Sequence, residues 1–284
     1  MSNEKNLTLV IGGTGKTGRR VADRLRARGV PIRIGTPRSD PPFDWLDPST
    51  WAASVQGVKS AYVTYYSDLT FQGAAENVGA FAKVAAANGV EHLVLLSGRN
   101  EPRAQLAEEL VQESGADWTM VRSSFFAQDF SEFFWREDVA NGEVAFPGGD
   151  TAEPFIDVED IADVAAAALT DDRHRNQLYE VTGPRLLTFA EAVAEISKVI
   201  GREVRYVPLS AEEFASALAE SGMPPEEVTE FVELFTTILD GRSQYVSDGV
   251  QRALGRPPKD FADFARDAAA AGAWDVKADS GVPA

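Results

Sequence analysis

The sequence predicts an α/β fold, a doubly wound parallel sheet followed by a smaller, mostly helical C-terminal lobe. Three observations carry that prediction. The run Leu7 to Ile11 is apolar and stops at a cluster of glycines, as a strand buried on both faces does. Further apolar runs recur at intervals that each hold one helical stretch, so strands alternate with single helices. Beyond residue 183 the alternation gives way to helix signals, including two capping boxes.

Composition bounds the function. At 284 residues and 44% hydrophobic content the chain can bury a sizeable core and carry one large domain with an appendage. No run approaches the roughly 20 apolar residues that cross a bilayer, and Met1 to Lys5 shows no signal-peptide pattern, so a cytoplasmic protein is expected. The absence of cysteine excludes disulfides, thiolate zinc sites and cysteine nucleophiles. A net charge of -17, from 44 acids against 27 bases, repels a phosphate backbone and an anionic leaflet alike. Neither nucleic acid nor a membrane is therefore an expected partner. The two histidines, His92 and His174, lie far apart, and no metal is expected.

The first element sets the chemistry. After the strand Leu7 to Ile11 come Gly12, Gly15 and Gly18 at three-residue spacing, then an amphipathic helix from Thr17 to Gly29 with Val21, Ala22 and Leu25 on one face. Strand, glycine turn and helix bring unpaired N–H groups and the positive end of a helix dipole to one spot, which suits a pyrophosphate. A turn with only a packing role is the alternative. Val30 to Thr36 reads as the second strand. At its end stand Thr36, Pro37, Arg38 and Ser39, with no acid before Asp40. An acid there would bind a ribose 2′-hydroxyl, whereas an arginine suits a 2′-phosphate, so Arg38, assisted by Ser39 or Thr36, points to NADP(H). A solvated surface arginine is the alternative.

Asp47 and Pro48 open a helix that Gly57 ends. Ala61 to Tyr65 is the third strand, Leu69 to Asn88 an alanine-rich helix, and His92 to Ser97 the fourth strand. Arg103 to Ser114 is the next helix and Trp118 to Arg122 the fifth strand. The strand ends Ile11, Thr36, Thr64, Ser97 and Arg122 then fall along the edge where ligands of such sheets bind. The aromatic run that follows contains Phe125, Phe126, Phe130, Phe133, Phe134 and Trp135; a helix begun near Ser124 would align several of these rings. They read either as core or as the wall of a pocket for a planar aromatic ligand. Asn141 to Gly149 reads as a turn, a short strand and a covering loop. Pro154 to Val158 is a strand edge, Glu159 to Leu169 a helix, and Leu178 to Thr182 the last sheet strand. Thr188 and Ser210 cap two further helices with a strand at Val204 to Val207 between them, Pro225 to Asp240 and Phe261 to Ala271 are helices, and the tail from Asp275 to Ala284 is unanchored. The boundaries expected are a nucleotide-binding domain over 1–155, to which 155–182 returns, and a C-terminal lobe over 183–284.

Several ordered motifs, Val10 to Gly18, Asp44 to Pro48, Leu95 to Ser97, Glu113 to Arg122 and Phe155 to Ala162, resemble the NmrA-like atypical short-chain dehydrogenases over nearly the whole chain. The resemblance implies a Rossmann fold with Gly12, Thr14, Gly15, Lys16, Thr17 and Gly18 in the phosphate loop. It places Arg38 at the 2′-phosphate, Asp44 near the adenine, and Thr64 and Ser97 near the nicotinamide half. That family includes quinone reductases, triphenylmethane-dye reductases, benzylic ether and isoflavone reductases, and redox-sensing regulators. One departure matters: none of the six tyrosines is followed by lysine four residues on, so the usual Tyr-x-x-x-Lys acid is missing. Tyr65, Tyr66 and Arg103 are the candidates to replace it, with Phe125, Phe126, Phe130 and Trp135 as candidate pocket walls.

Two functions fit these residues. The first is an NADPH-dependent oxidoreductase passing hydride to a quinone or other planar polycyclic carbonyl, an acceptor electrophilic enough to need no side-chain acid. The second is an NADP(H)-sensing binding protein with little or no turnover. Either works as a monomer or a homodimer.

Overall fold

The computed structural model describes residues 6–66 and 68–275, so Met1 to Lys5 and the expected tail past Asp275 lie outside the described residues. The chain runs β1 (Leu7–Ile11), α1 (Lys16–Ala27), β2 (Ile32–Gly35), α2 (Trp51–Ser54), β3 (Val58–Val63), α3 (Ala74–Ala87), β4 (His92–Gly98), α4 (Pro102–Gln112) and β5 (Asp117–Ser123). It continues through α5 (Asp129–Glu132), α6 (Arg136–Asn141), β6 (Glu143–Phe146), β7 (Ala152–Glu153), α7 (Val158–Ala168), β8 (Gln177–Val181) and β9 (Leu187–Thr188). Then come α8 (Phe189–Ile200), β10 (Arg205–Pro208), α9 (Ala211–Glu220), α10 (Pro225–Ile238), α11 (Gly249–Leu254) and α12 (Phe261–Ala270).

The chain divides into two compact units. The first holds the chain up to Ser124, Val158–Thr182 and Ser247–Pro258. Its sheet has the order β2-β1-β3-β4-β5-β8, parallel throughout. From β1 the chain turns to one side for β2 and then crosses to the other for β3, which leaves the carboxyl ends of β1 and β3 flanking a switch point. The six strands are the six expected ones. Leu9, Ile11, Ala61, Val63, Leu93 and Leu95 pack on one face against Phe43, Trp51, Val78 and Phe81. Each large apolar side chain so buried stabilises the fold by about 1.5–3 kcal/mol. Several boundaries move: β3 starts and ends earlier than expected, α2 is only four residues long, and α3 begins at Ala74 and not at Leu69, because Gly73 takes a φ of +81° that ends the preceding loop.

The second unit holds Phe125–Asp157, Gly183–Val246 and the chain from Lys259. This corrects the expected boundaries of 1–155 and 183–284 at two places. Residues 125–157 leave the sheet unit because Ala127 donates to the Ile156 carbonyl at 2.8 Å and Ile156 to that of Phe125 at 2.8 Å, while β6 pairs in parallel with β10. Residues 247–258 return to the sheet unit because Ser247 N–H bonds Thr182 Oγ1 at 3.1 Å and its hydroxyl donates to the Glu180 carbonyl at 2.5 Å. Both capping boxes are present, Thr188 with Glu191 on α8 and Ser210 with Glu213 on α9.

The aromatic run is not one helix. Phe126 makes a parallel bridge to Ile156, α5 spans only four residues, and Phe133 breaks the helix at φ -144° and ψ -105°. Phe130 and Trp135 are 0% and 3% exposed and join Phe146, Phe155, Phe189 and Phe261 in an aromatic core whose ring pairs sit at 4.7–6.4 Å, tilted or edge to face.

Candidate functional site

The turn after β1 is built by its glycines. Gly12 takes a φ of +65°, and its N–H bonds the carbonyl of Gly35 at the end of β2 at 2.9 Å. A Cβ on Gly12 would stand 2.9 Å from the Thr64 methyl, so Thr64, just past β3, abuts the turn. Gly15 N–H closes the turn on the Gly12 carbonyl at 2.8 Å, and that carbonyl is the only neighbour a Gly15 Cβ would meet. The chain therefore stays open at Gly15. A Cβ on Gly18 would fall 2.2 Å from the Gly12 carbonyl oxygen, so glycine here lets α1 press onto the turn. Gly13, which the spacing argument passed over, is held the same way: its Cβ would fall 2.6 Å from Ile34 Cδ1.

The N-terminus of α1 has no acid in its first turn and no side-chain cap, so its leading N–H groups remain suited to an anion. Thr14 and Gly15 are exposed and Lys16 half-buried there, whereas Thr17 is buried. Thr17 bears on Tyr62, a wholly buried phenol of β3 whose pKa burial pushes far up. Thr17 thus seats the helix on the sheet. Farther along, Arg20 bonds Glu159 at 2.5 Å and Arg24 bonds Glu159 and Asp163, which ties α1 to α7.

Arg38 projects from a loop braced by Ser39. The Ser39 hydroxyl lies 2.7 Å from the Thr36 carbonyl and 2.9 Å from that of Pro41, and accepts from Thr36 N–H at 3.1 Å. Its hydrogen-bonding capacity is spent inside the loop. Arg38 is exposed and makes no ion pair with any described residue. Arg33, the arginine of β2 itself, is committed to the carbonyls of Ser54 and Gln56 at 2.7 and 2.9 Å. Asp44 spends one carboxylate oxygen on Leu46 N–H at 2.9 Å, and Trp45 locks this segment to β3 through Nε1–H on the Thr64 carbonyl at 3.1 Å.

At the end of β4, Ser97 is buried and donates to Glu108 at 2.6 Å. Glu108, 2% exposed on α4, also takes a two-pronged bond from Arg122 of β5, with Nη2 to Oε2 at 2.6 Å. Arg99, 3% exposed, pairs with Glu180 at 3.0 Å. Neither pairing was visible in the sequence, where Glu108 is one acid among several on a helix.

The three candidates for the missing acid stand apart in character. Tyr65 packs 4.9 Å from Trp45 and accepts from Asn77 Nδ2 at 3.0 Å; Tyr66 is 84% exposed; Arg103 donates to the Thr70 carbonyl at 2.8 Å. A fourth group was missed by sequence reasoning: Asp68, in the loop after β3, accepts from Thr70 N–H at 2.8 Å and Thr70 Oγ1 at 2.6 Å. Burial raises its pKa above the ordinary value of 3.8, with the Thr70 bonds opposing. An Asp two residues before a Thr signals only a turn, which is why it drew no notice. In the second unit, Phe130 and Trp135 belong to the aromatic core, while Phe125 and Phe126 are half-buried and Phe133 is 62% exposed. Among the described residues no cluster of acids and histidines could hold a metal ion, and no helix is long and apolar enough to cross a membrane.

Comparison with known proteins agrees with this fold. The chain is 32% identical to an NAD(P)H azoreductase of Xenophilus azovorans, over 93% of this chain and 99% of that protein. An NADPH-dependent quinone oxidoreductase of Escherichia coli, solved with NADPH, shares the fold at a TM-score of 0.77 and 20% identity, over 92% of this chain and 99% of its own. The Citrobacter sp. triphenylmethane reductase, solved with NADP(H), does so at 0.73 and 20%, over 93% and 99%. The model of the NmrA-like family matches residues 43–253, and with nearly full-length likeness to the azoreductase the chain belongs to the NmrA-like family.

Proposed function

We propose that this chain is an NADPH-dependent reductase that passes hydride to an electrophilic planar aromatic acceptor, a quinone or another polycyclic carbonyl. The observation that carries the reading is the cradle at Gly12–Gly18 together with an exposed, unpaired Arg38 at the end of β2. The open chain at Gly15, Thr14 and Lys16 would hold the pyrophosphate, Arg38 the 2′-phosphate, and Asp44 the adenine. Thr64 and Ser97 would border the nicotinamide half. The cofactor would supply the hydride, and the protein positioning. Phe125 and Phe126, offered by the sequence as walls for a planar acceptor, are the half-buried rings of the aromatic run and belong to the second unit. The names of the azoreductase, quinone oxidoreductase and triphenylmethane reductase give an azo compound, a quinone and a triphenylmethane as acceptors.

The test is NADPH oxidation followed with a panel of quinones and polycyclic ketones. Turnover with at least one, and preference for NADPH over NADH, is expected; no turnover with any of them overturns the reading. The absence of Tyr-x-x-x-Lys favours one second reading, an NADP(H)-sensing binding protein. It predicts NADPH binding without turnover and a protein partner released by the nucleotide.

A further inference from the structure

The reductase reading leaves a proton unaccounted for. Quinone plus hydride gives a hydroquinone anion, and an azo bond plus hydride gives a hydrazo anion; each takes one proton to reach its neutral product while NADPH becomes NADP⁺. A triarylmethyl cation plus hydride gives the neutral leuco compound directly and takes none. The usual tyrosine is absent, Tyr65 is packed on Trp45, and Arg103 cannot give up a proton near neutral pH.

We infer that Asp68 is the proton donor to acceptors that need one. Its loop leaves the carboxyl end of β3, the edge where ligands of such sheets bind, and it lies four positions beyond Thr64, whose methyl borders the Gly12 turn. The Cα atoms of Asp68 and Thr64 are at most about 14 Å apart, on the same edge of the sheet. One oxygen, Oδ1, is fixed by both the N–H and the hydroxyl of Thr70. The other, Oδ2, accepts no hydrogen bond from any described residue and is left to carry the proton. Arg103, on the first turn of α4, holds the same loop through the Thr70 carbonyl. The O–H bond of Asp68 breaks as the new O–H or N–H bond of the product forms, and the carboxylate recovers a proton from water. Burial, which disfavours the charged form, acts in the same direction.

This inference rests on the reductase reading, and the experiment separates the two. Asp68→Asn keeps an oxygen for Thr70 but has no acidic proton. It is compared with wild type on a quinone, an azo dye and a cationic triarylmethane dye, alongside NADPH affinity by calorimetry and thermal midpoint. Loss of roughly 10²-fold on the quinone and azo dye, with the cationic dye unchanged within about twofold, is expected of a lost general acid. Asp68→Glu should restore part of the loss, and NADPH affinity and thermal midpoint should match wild type. Equal loss on all three acceptors, or no loss on any, overturns the role of Asp68. Failure of wild type on all three overturns the reductase reading instead.

Discussion

Arg38 shows how far one residue type can be read. The sequence offers an arginine where an acid would select the other nucleotide, and the structure leaves that arginine exposed while Arg33 next to it is tied to two carbonyls. A charge-assisted bond to a phosphate contributes about 1.5–3 kcal/mol. Arg38→Ala should therefore weaken NADPH roughly 10- to 100-fold and leave NADH nearly unchanged; titration of both nucleotides against the variant checks it, and equal weakening of both would assign the 2′-phosphate elsewhere. The glycines were legible for a related reason, since each role leaves a spacing that a reader can count. Ser39 was not. A serine beside an arginine reads as a second phosphate ligand, and only the coordinates show its hydroxyl spent on Thr36 and Pro41. Glu108 was missed because what distinguishes it is burial and its partners Ser97 and Arg122 on neighbouring strands, and Asp68 because its bonds to Thr70 look like an ordinary turn.

At the scale of elements, β1 and β4 were legible because strands buried on both faces read as continuous apolar runs, and the other four sheet strands were legible from the alternation of strand and helix signals. The aromatic run misled for the opposite reason: four- and three-residue spacing imitates a helical face, but tertiary pairing of Phe126 with Ile156 won over local periodicity. Strand β4 carries a further consequence at its start. His92 Nε2 lies 2.9 Å from Thr119 Oγ1, and Thr119 donates its own hydrogen to the His174 carbonyl at 2.6 Å, so His92 must be the donor through Nε2–H. Burial, and then Arg175, lower its pKa from 6.5 to about 4. The neutral form is the folded one, so this contribution is complete above pH 6.5 and is lost as the pH falls toward 4, where only the unfolded chain gains the proton. The loss amounts to about 3 kcal/mol over that window. Asp117, held below the ordinary carboxylate value of 3.8 by Arg175, titrates below the window and does not confuse it. Burial lowers the pKa of His174 as well, so it adds to the same decline; urea unfolding of wild type should show the decline between pH 6.5 and 4, and His92→Gln should make it shallower, whereas an unchanged slope would place the acid sensitivity in His174 or another group.

For the whole molecule, the division into units is not a division of the chain: it passes from one unit to the other after Ser124, Asp157, Thr182, Val246 and Pro258. The sequence pass placed a single return and missed the last, because the six residues of α11 are too few to show periodicity. What brings that segment back is a close backbone approach. A Cβ on Gly249 would stand 2.0 Å from the Glu180 carbonyl oxygen, inside the strand that α11 covers. The neighbouring side-chain contact is weaker, Arg252 lying 5.4 Å over the Tyr179 ring at an accessible position, which contributes about 0.5–1 kcal/mol. Gly249→Leu should therefore cost about 1–3 kcal/mol, as overpacking does, and Arg252→Ala less than half as much. Because β8 is an outer strand of the parallel sheet, a displaced α11 uncovers it and loosens the Ser247 bonds to Glu180 and Thr182. At this chain length a cost of that size lowers the thermal midpoint by about 2–10 °C. Thermal unfolding of both variants decides the matter: if Arg252→Ala lowers the midpoint more than Gly249→Leu does, the ring contact and not the glycine anchors the returning segment.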